Sequence, residues 1–219
     1  MRQCIISFFL LIFFTKVFAQ PQFSLSTDLS LQRNFKNEQQ YWAAGHTVIT
    51  NFHLTPQDGI YAWFCYFSDG KFSNNITAIA KNPLTSPAQK NYQNNARMHF
   101  KQFSVGWKRY LKGNPEAEKS WNLYGSAGFG LMLGTVTNSH SIAIDTALYA
   151  VLVLSGKANF KRLTFDLALG AEIPLGGDFF IYSEARALIP TIGYPSEFIL
   201  INNNAPFVGN LGIGLRLLF

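Results

Sequence analysis

Large apolar side chains recur at every second position over segments of about ten residues. Beyond residues 1 to 19 no stretch is apolar for the 18 or more residues that a membrane helix needs. The last segment is the clearest. Phe207, Gly209, Leu211, Ile213, Leu215, Leu217 and Phe219 fall on one side, and Val208, Asn210, Gly212, Gly214, Arg216 and Leu218 on the other. A period of two is the signature of a strand with two unlike faces. The same pattern places Phe23, Leu25, Thr27, Leu29 and Leu31 opposite Ser24, Ser26, Asp28, Ser30 and Gln32. It recurs at Trp121 to Leu133 and again at Arg162 to Ile173. Weaker alternation predicts strands near residues 41 to 54, 59 to 69, 96 to 111 and 178 to 190, which makes eight in all.

The first residues, MRQCIISFFLLIFFTKVFAQ, combine Arg2, an apolar run from Cys4 to Phe14 and small Val17 and Ala19, which predicts a secretory signal peptide over 1 to 19. Lys16 beside the apolar run leaves an uncleaved anchor as the alternative. Residues 20 to 219 read as one domain, because no linker or change of composition divides them. Loss of Arg2 and Lys16 lowers the net charge from +6 to +4, too mild a balance to imply a nucleic-acid partner. Cys4 leaves with the leader, so Cys65 has no intramolecular disulfide partner, and in the aromatic run IYAWFCYF it reads as an inert core side chain. Hydrophobic residues make up 48% of the chain and charged ones only 14%, a poor exterior for a water-soluble protein.

The links between the strands alternate in character. KNEQ and the stretches at about 70 to 95, 135 to 160 and 191 to 206 are mostly long and rich in Asn, Ser and Thr, whereas TPQDG, KGNPEAEKS and PLGGD are short turns. An even number of antiparallel strands with short turns at one end and long loops at the other predicts an all-β fold, a closed antiparallel transmembrane β-barrel. A soluble eight-stranded barrel would share the alternation. The polar face argues against it, since Ser, Thr, Asn, Gln and Gly with few charges suit a narrow lumen better than a watery exterior. Phe23, Phe52, Trp63, Trp107, Trp121, Phe179 and Phe219 all lie near the short-turn ends, as an interfacial aromatic belt would.

The final strand, with Leu211, Ile213, Leu215, Leu217 and terminal Phe219 on one face, resembles the C-terminal assembly signal of bacterial outer-membrane β-barrel proteins. In architecture the chain resembles the small eight-stranded OmpA/OmpX type. That resemblance implies recognition by the barrel-assembly machinery, a wall surrounded by outer-membrane lipids, both termini in the periplasm and the long links outside the cell.

Asp28, Lys108, Arg162, Asp166, Glu172, Glu184, Arg186 and Arg216 fall on the polar face, where isolated ions would be costly; an internal salt-bridge network that fills the lumen is expected. The hairpin at PLGGD predicts a register with Glu172 opposite Phe180 and Asp166 opposite Arg186, because a slide that opposes Asp166 to Glu184 creates repulsive contacts. Inward Gly128, Gly130, Gly212 and Gly214 relieve crowding. GSAGFG and GNLGIG open no helix, so neither reads as a phosphate loop.

No catalytic, cofactor or metal site is expected. Ser139, His140, Ser141 and Asp145 are the only local cluster with the right residue types for nucleophilic chemistry, and they sit in a polar loop. His46, His53 and His99 show no ligand spacing, and the sequon at Asn75 reads as a chance match. Ile142 to Leu154 is too apolar for an ordinary loop. It extends strands, enters the barrel mouth or meets a partner, and if it spans the bilayer the count becomes ten. The expected function is structural or surface-interacting, through loops that touch an unknown extracellular ligand. A narrow solute channel and, less favoured, a lipid-modifying enzyme are the alternatives.

Overall fold

The computed structural model describes residues 22–37, 39–191 and 207–219. The expected leader and most of the link at 191 to 206 lie outside them. The described chain folds into β1 (Gln22–Asn34), β2 (Tyr41–His53), β3 (Asp58–Ala80), β4 (Gln89–Lys112), β5 (Asn122–His140), β6 (Tyr149–Ala150), β7 (Gly156–Gly176), β8 (Phe179–Pro190) and β9 (Val208–Leu218). The order β2-β1-β9-β8-β7-β5-β4-β3, closed by β2 on β3, is an eight-stranded antiparallel ring. The two-residue β6 stands outside the ring and pairs with the tip of β3, Ile79 with Ala150 and Ala80 with Tyr149. Of the expected counts, eight holds and ten does not. Ile142 to Leu154 does not cross the wall but folds over its far end.

Alternation becomes inside and outside. Leu29, Phe129, Leu167 and Ile213 are exposed outward, while their neighbours Asp28, Gly128, Asp166 and Gly212 are buried. Every strand of the ring adds large apolar side chains to the outer band, a surface that lipid tails accept and water does not. The ring is sealed where the chain ends meet: Phe219 donates its N–H to the Phe23 carbonyl at 2.8 Å, and Phe23 donates to the Phe219 carbonyl at 3.4 Å.

The wall is uneven in height. β3, β4, β5 and β7 run for 23, 24, 19 and 21 residues, whereas β1, β2, β8 and β9 run for 11 to 13. Of the stretches expected as loops, that at about 70 to 95 is therefore largely strand and that at about 135 to 160 is about half strand. Their Asn, Ser and Thr residues alternate with buried Phe72, Ile76, Tyr92 and Val136, a pattern that composition alone disguised as loop. β3 departs from β2 at a bulge between Phe67 and Gly70, where Asp69 takes a left-handed φ of 67°.

Two further expectations are corrected. Glu172 pairs with Tyr182 rather than Phe180, and Asp166 with Leu188 rather than Arg186. The cause lies in the hairpin. A bulge between Pro174 and Gly176 precedes a two-residue turn, and Gly176 and Gly177 hold φ of 118° and 56°, which glycine takes without strain. Trp63 does not join an outer aromatic belt. It is buried in the lumen, because β3 carries aromatics on both faces and parity with Tyr61 and Cys65 turns it inward.

The orientation of the outer band has a measurable consequence. Phe129→Arg places a cation mid-band and is expected to cost about 2–4 kcal/mol in equilibrium unfolding from lipid vesicles. Asn95→Arg, outward on the tall extension, is expected to shift stability by less than about 0.5 kcal/mol.

Candidate functional site

The lumen contains two chemically distinct halves. Toward the end where β1 begins and β9 ends it holds a polar network, and toward the far end it holds Phe67, Phe72, Met98, Phe100, Met132, Val136, Phe160 and Leu188 in one apolar cluster. The expected polar face is thus only part of the lumen: inward positions of the long strands are mostly apolar in the far half, with Arg162 among them.

All eight charged side chains assigned to the lumen from the sequence are buried: Asp28, Lys108, Arg162, Asp166, Glu172, Glu184, Arg186 and Arg216. Four are carboxylates and four are cations. Glu172 is the hub of the lower group. Arg216 donates to its two carboxylate oxygens from Nε at 3.0 Å and Nη2 at 2.9 Å, Asn122 donates at 2.9 Å, and Lys108 Nζ stands 3.9 Å away. Arg216 also lies 3.7 Å from the Phe180 ring and donates to the Pro115 carbonyl at 3.0 Å. That last bond ties the β4–β5 turn across the lower mouth. Lys108 caps the Tyr124 ring at 3.6 Å.

Higher in the lumen, Arg186 donates to Glu184 Oε1 through Nε at 3.0 Å and Nη2 at 2.8 Å, and to the Tyr61 hydroxyl at 3.2 Å. Its guanidinium is flanked by the rings of Tyr61 and Trp63. Asp28 accepts from Thr47 and from the Tyr182 hydroxyl, the latter at 2.7 Å. Asp166 accepts from Thr164 at 2.7 Å and from Gln102 at 3.1 Å. Arg162 lies 5.4 Å from the Phe160 ring. Charges therefore pair along a strand or across the lumen, not between β7 and β8 as the expected register had it. In the observed register Glu184 and Arg186 face Gly170 and Ala168, whose small size leaves them room to reach inward.

The cavity bounded by Ser26, Tyr61, Lys108, Glu172, Tyr182 and Arg216 measures about 10 Å³, the space of roughly one water. Glycine sets how close the packing can be: a Cβ on Gly128 would run into the Val105 carbonyl and the Tyr61 hydroxyl. The sequence pattern put Asn122 and Tyr124 on the inward face without assigning them a role, and sequence reasoning missed Tyr61, Trp63, Gln102 and Tyr182. Their inward parity was the available signal, but contacts such as Tyr182 to Asp28 join residues 154 apart in the chain.

The nucleophile candidates are not brought together. Ser139 Oγ donates to the Asn95 carbonyl, Ser141 Oγ accepts from the Gln93 N–H, Asp145 accepts from the Ala147 N–H, and the His140 ring packs tilted against Tyr92 with centroids 4.6 Å apart. His46 meets Thr27 and His53 meets Ser24. Among the described residues no group of three metal-ligating side chains gathers. Glu172→Gln, which leaves two buried cations short of a carboxylate, is expected to cost about 3–5 kcal/mol in unfolding from micelles. Its combination with Arg216→Gln is expected to cost less than the sum of the two single substitutions by about 0.5–3 kcal/mol.

The sequence matches no protein-family model and no curated protein. Solved structures are similar in fold. Neisserial surface protein A aligns at a TM-score of 0.57 and 7% identity, over 89% of this chain and 96% of that one. A major outer membrane protein from Thermus thermophilus aligns at 0.54 and 8%, over 91% and 100%. Ail, the attachment invasion locus protein of Yersinia pestis, aligns at 0.51 and 11%, over 91% and 99%. With its closed ring of eight antiparallel strands, outward apolar band and filled lumen, the chain has the fold of the small bacterial outer-membrane β-barrels.

Proposed function

We propose that the protein is an integral outer-membrane barrel that conducts no solute and performs no chemistry, and acts as a surface-interaction protein through the tall β3–β4–β5–β7 extension. The observation that carries this reading is the filling of the lumen. Buried ion pairs occupy one half, mostly apolar side chains the other, and the cavity between the charges is about 10 Å³. A channel needs a continuous wet path, and a catalyst needs converging reactive groups. With both termini on the periplasmic side, as in the barrels the chain resembles, the extension stands outside the cell. Its outer face carries hydrogen-bonded polar pairs, Ser73 with Asn95, Thr77 with Asn91 and Thr135 with Asn159, a surface suited to a hydrophilic extracellular ligand. Neisserial surface protein A is named for its place at the surface and Ail for attachment, which accords with this reading.

During biogenesis the outward row of Leu211, Ile213, Leu215, Leu217 and Phe219 is the face offered to the barrel-assembly machinery. It lies on the strand that closes the ring against β1.

Purified protein in planar bilayers is expected to give no steady single-channel openings; reproducible conductance steps would overturn the closed lumen. In cells, Phe219→Ser is expected to lower the heat-modifiable, membrane-embedded fraction several-fold on gels of outer-membrane preparations, while the same variant refolds from urea into micelles.

A further inference from the structure

We infer that the outer wall carries a binding site for a phosphate-bearing lipid, built on Lys101 and Lys161 at the upper edge of the apolar band. This inference rests on the membrane reading above and adds a ligand to it.

Three successive registered rows on the outer wall change character abruptly. The lowest, Phe64, Phe103, Leu131 and Leu163 on β3, β4, β5 and β7, is apolar throughout. The next row is Tyr66, Lys101, Leu133 and Lys161, and the one above it on β4, β5 and β7 is His99, Thr135 and Asn159. The middle row therefore lies where hydrocarbon gives way to headgroups. Between these rows a groove of about 690 Å³ opens over Gly134, walled by Lys101 and His99 on one side and by Lys161 and Asn159 on the other. At its floor the groove meets bare backbone, since Gly134 faces the lumen, where the Phe160 ring takes the space a side chain would need.

The charge of the groove is one-sided. Lys101 and Lys161 flank Leu133 on adjacent strands, so their Cα atoms are about 10 Å apart and both ammonium groups can reach a single phosphate above Leu133. Lys101 is steered by the Tyr66 ring, 5.9 Å from its Nζ. Among the described residues no carboxylate lies within ion-pair distance of either lysine. The nearest acidic residue along β3, Asp69, is engaged by Arg97 at 2.6 Å and Lys71 at 3.1 Å. Two cations at the membrane boundary with no protein counter-ion complement an anionic headgroup, with the tails running down over Leu133, Leu131 and Phe103. Lysines that merely extend toward water would show no such preference for phosphate.

Native mass spectrometry of the full chain released from micelles tests the site, with dioleoyl phosphatidate and dioleoyl phosphatidylcholine as probes. The wild type is expected to retain phosphatidate over phosphatidylcholine by about tenfold or more, the order set by two lysines at an anionic surface. Lys101→Gln/Lys161→Gln is expected to reduce that preference to about twofold, and Lys157→Gln, outside the groove, to leave it unchanged. A wild type without the preference, or a double variant that keeps it, overturns the site. Heat-modifiability of the same samples separates the two levels. Loss of the lipid preference in an intact, heat-modifiable barrel refutes the site alone, whereas a wild-type chain that stays dispersed without detergent refutes the membrane reading with it.

Discussion

Backbone hydrogen bonding in the absence of water is the constraint from which this molecule follows. A strand in hydrocarbon must pair on both edges, since each unmet N–H or C=O costs several kcal/mol and lipid offers no substitute. A ring meets that demand for every strand at once, and the closure here joins the two ends of the folded chain, Phe23 with Phe219. Once the ring is fixed, side-chain parity is fixed too. A residue's place in the sequence decides whether it meets lipid or lumen, and a slip by one position would put Asp166 into the bilayer and Leu167 among the charges.

The lumen then has to be filled by whatever the inward parity supplies. Ions so deeply buried are tolerated because each carboxylate accepts several donors. Glu172 has Arg216, Asn122 and Lys108 around it, and Asp166 has Gln102 and Thr164. Replacing water with fixed donors in this way rigidifies the ring from within. Beyond Leu188 the filling becomes mostly apolar and excludes water by packing, with Arg162 set against the Phe160 ring. The two halves close the lumen by different means, pairing below and packing above.

The fold was readable in the sequence because period two reports a local property. Asp28, Arg162 and Arg216 could be assigned to the lumen from parity alone. Three things escaped that logic. The β7–β8 register depends on the bulge at Leu175 and on two glycines with positive φ, which shift the pairing by two residues without changing the faces. Trp63 sits in a run of aromatics on both faces, where period two is invisible to composition. The pairings within the lumen run across the barrel, between residues such as Arg216 and Glu172 that no local rule brings together.

The tall side of the wall carries the constraint one step further. Above the bulge at Asp69, β3 leaves β2, and the four strands β3, β4, β5 and β7 continue as an open sheet with no opposing strand among the described residues. Their outer face can meet water, since it is polar, but the inner face carries Ile76, Ala78 and Tyr92. A sheet with one apolar face is stable only when something covers that face. The link between β5 and β7 does so: Tyr149 and Val153 pack on those residues, Tyr149 donates to the Pro87 carbonyl at 3.0 Å, and β6 fastens the link to the tip of β3. This explains why Ile142 to Leu154 is too greasy for a loop and yet crosses no membrane. The segment is the missing wall of a small second core, and that core lets the extension stand clear of the lipid as a rigid platform.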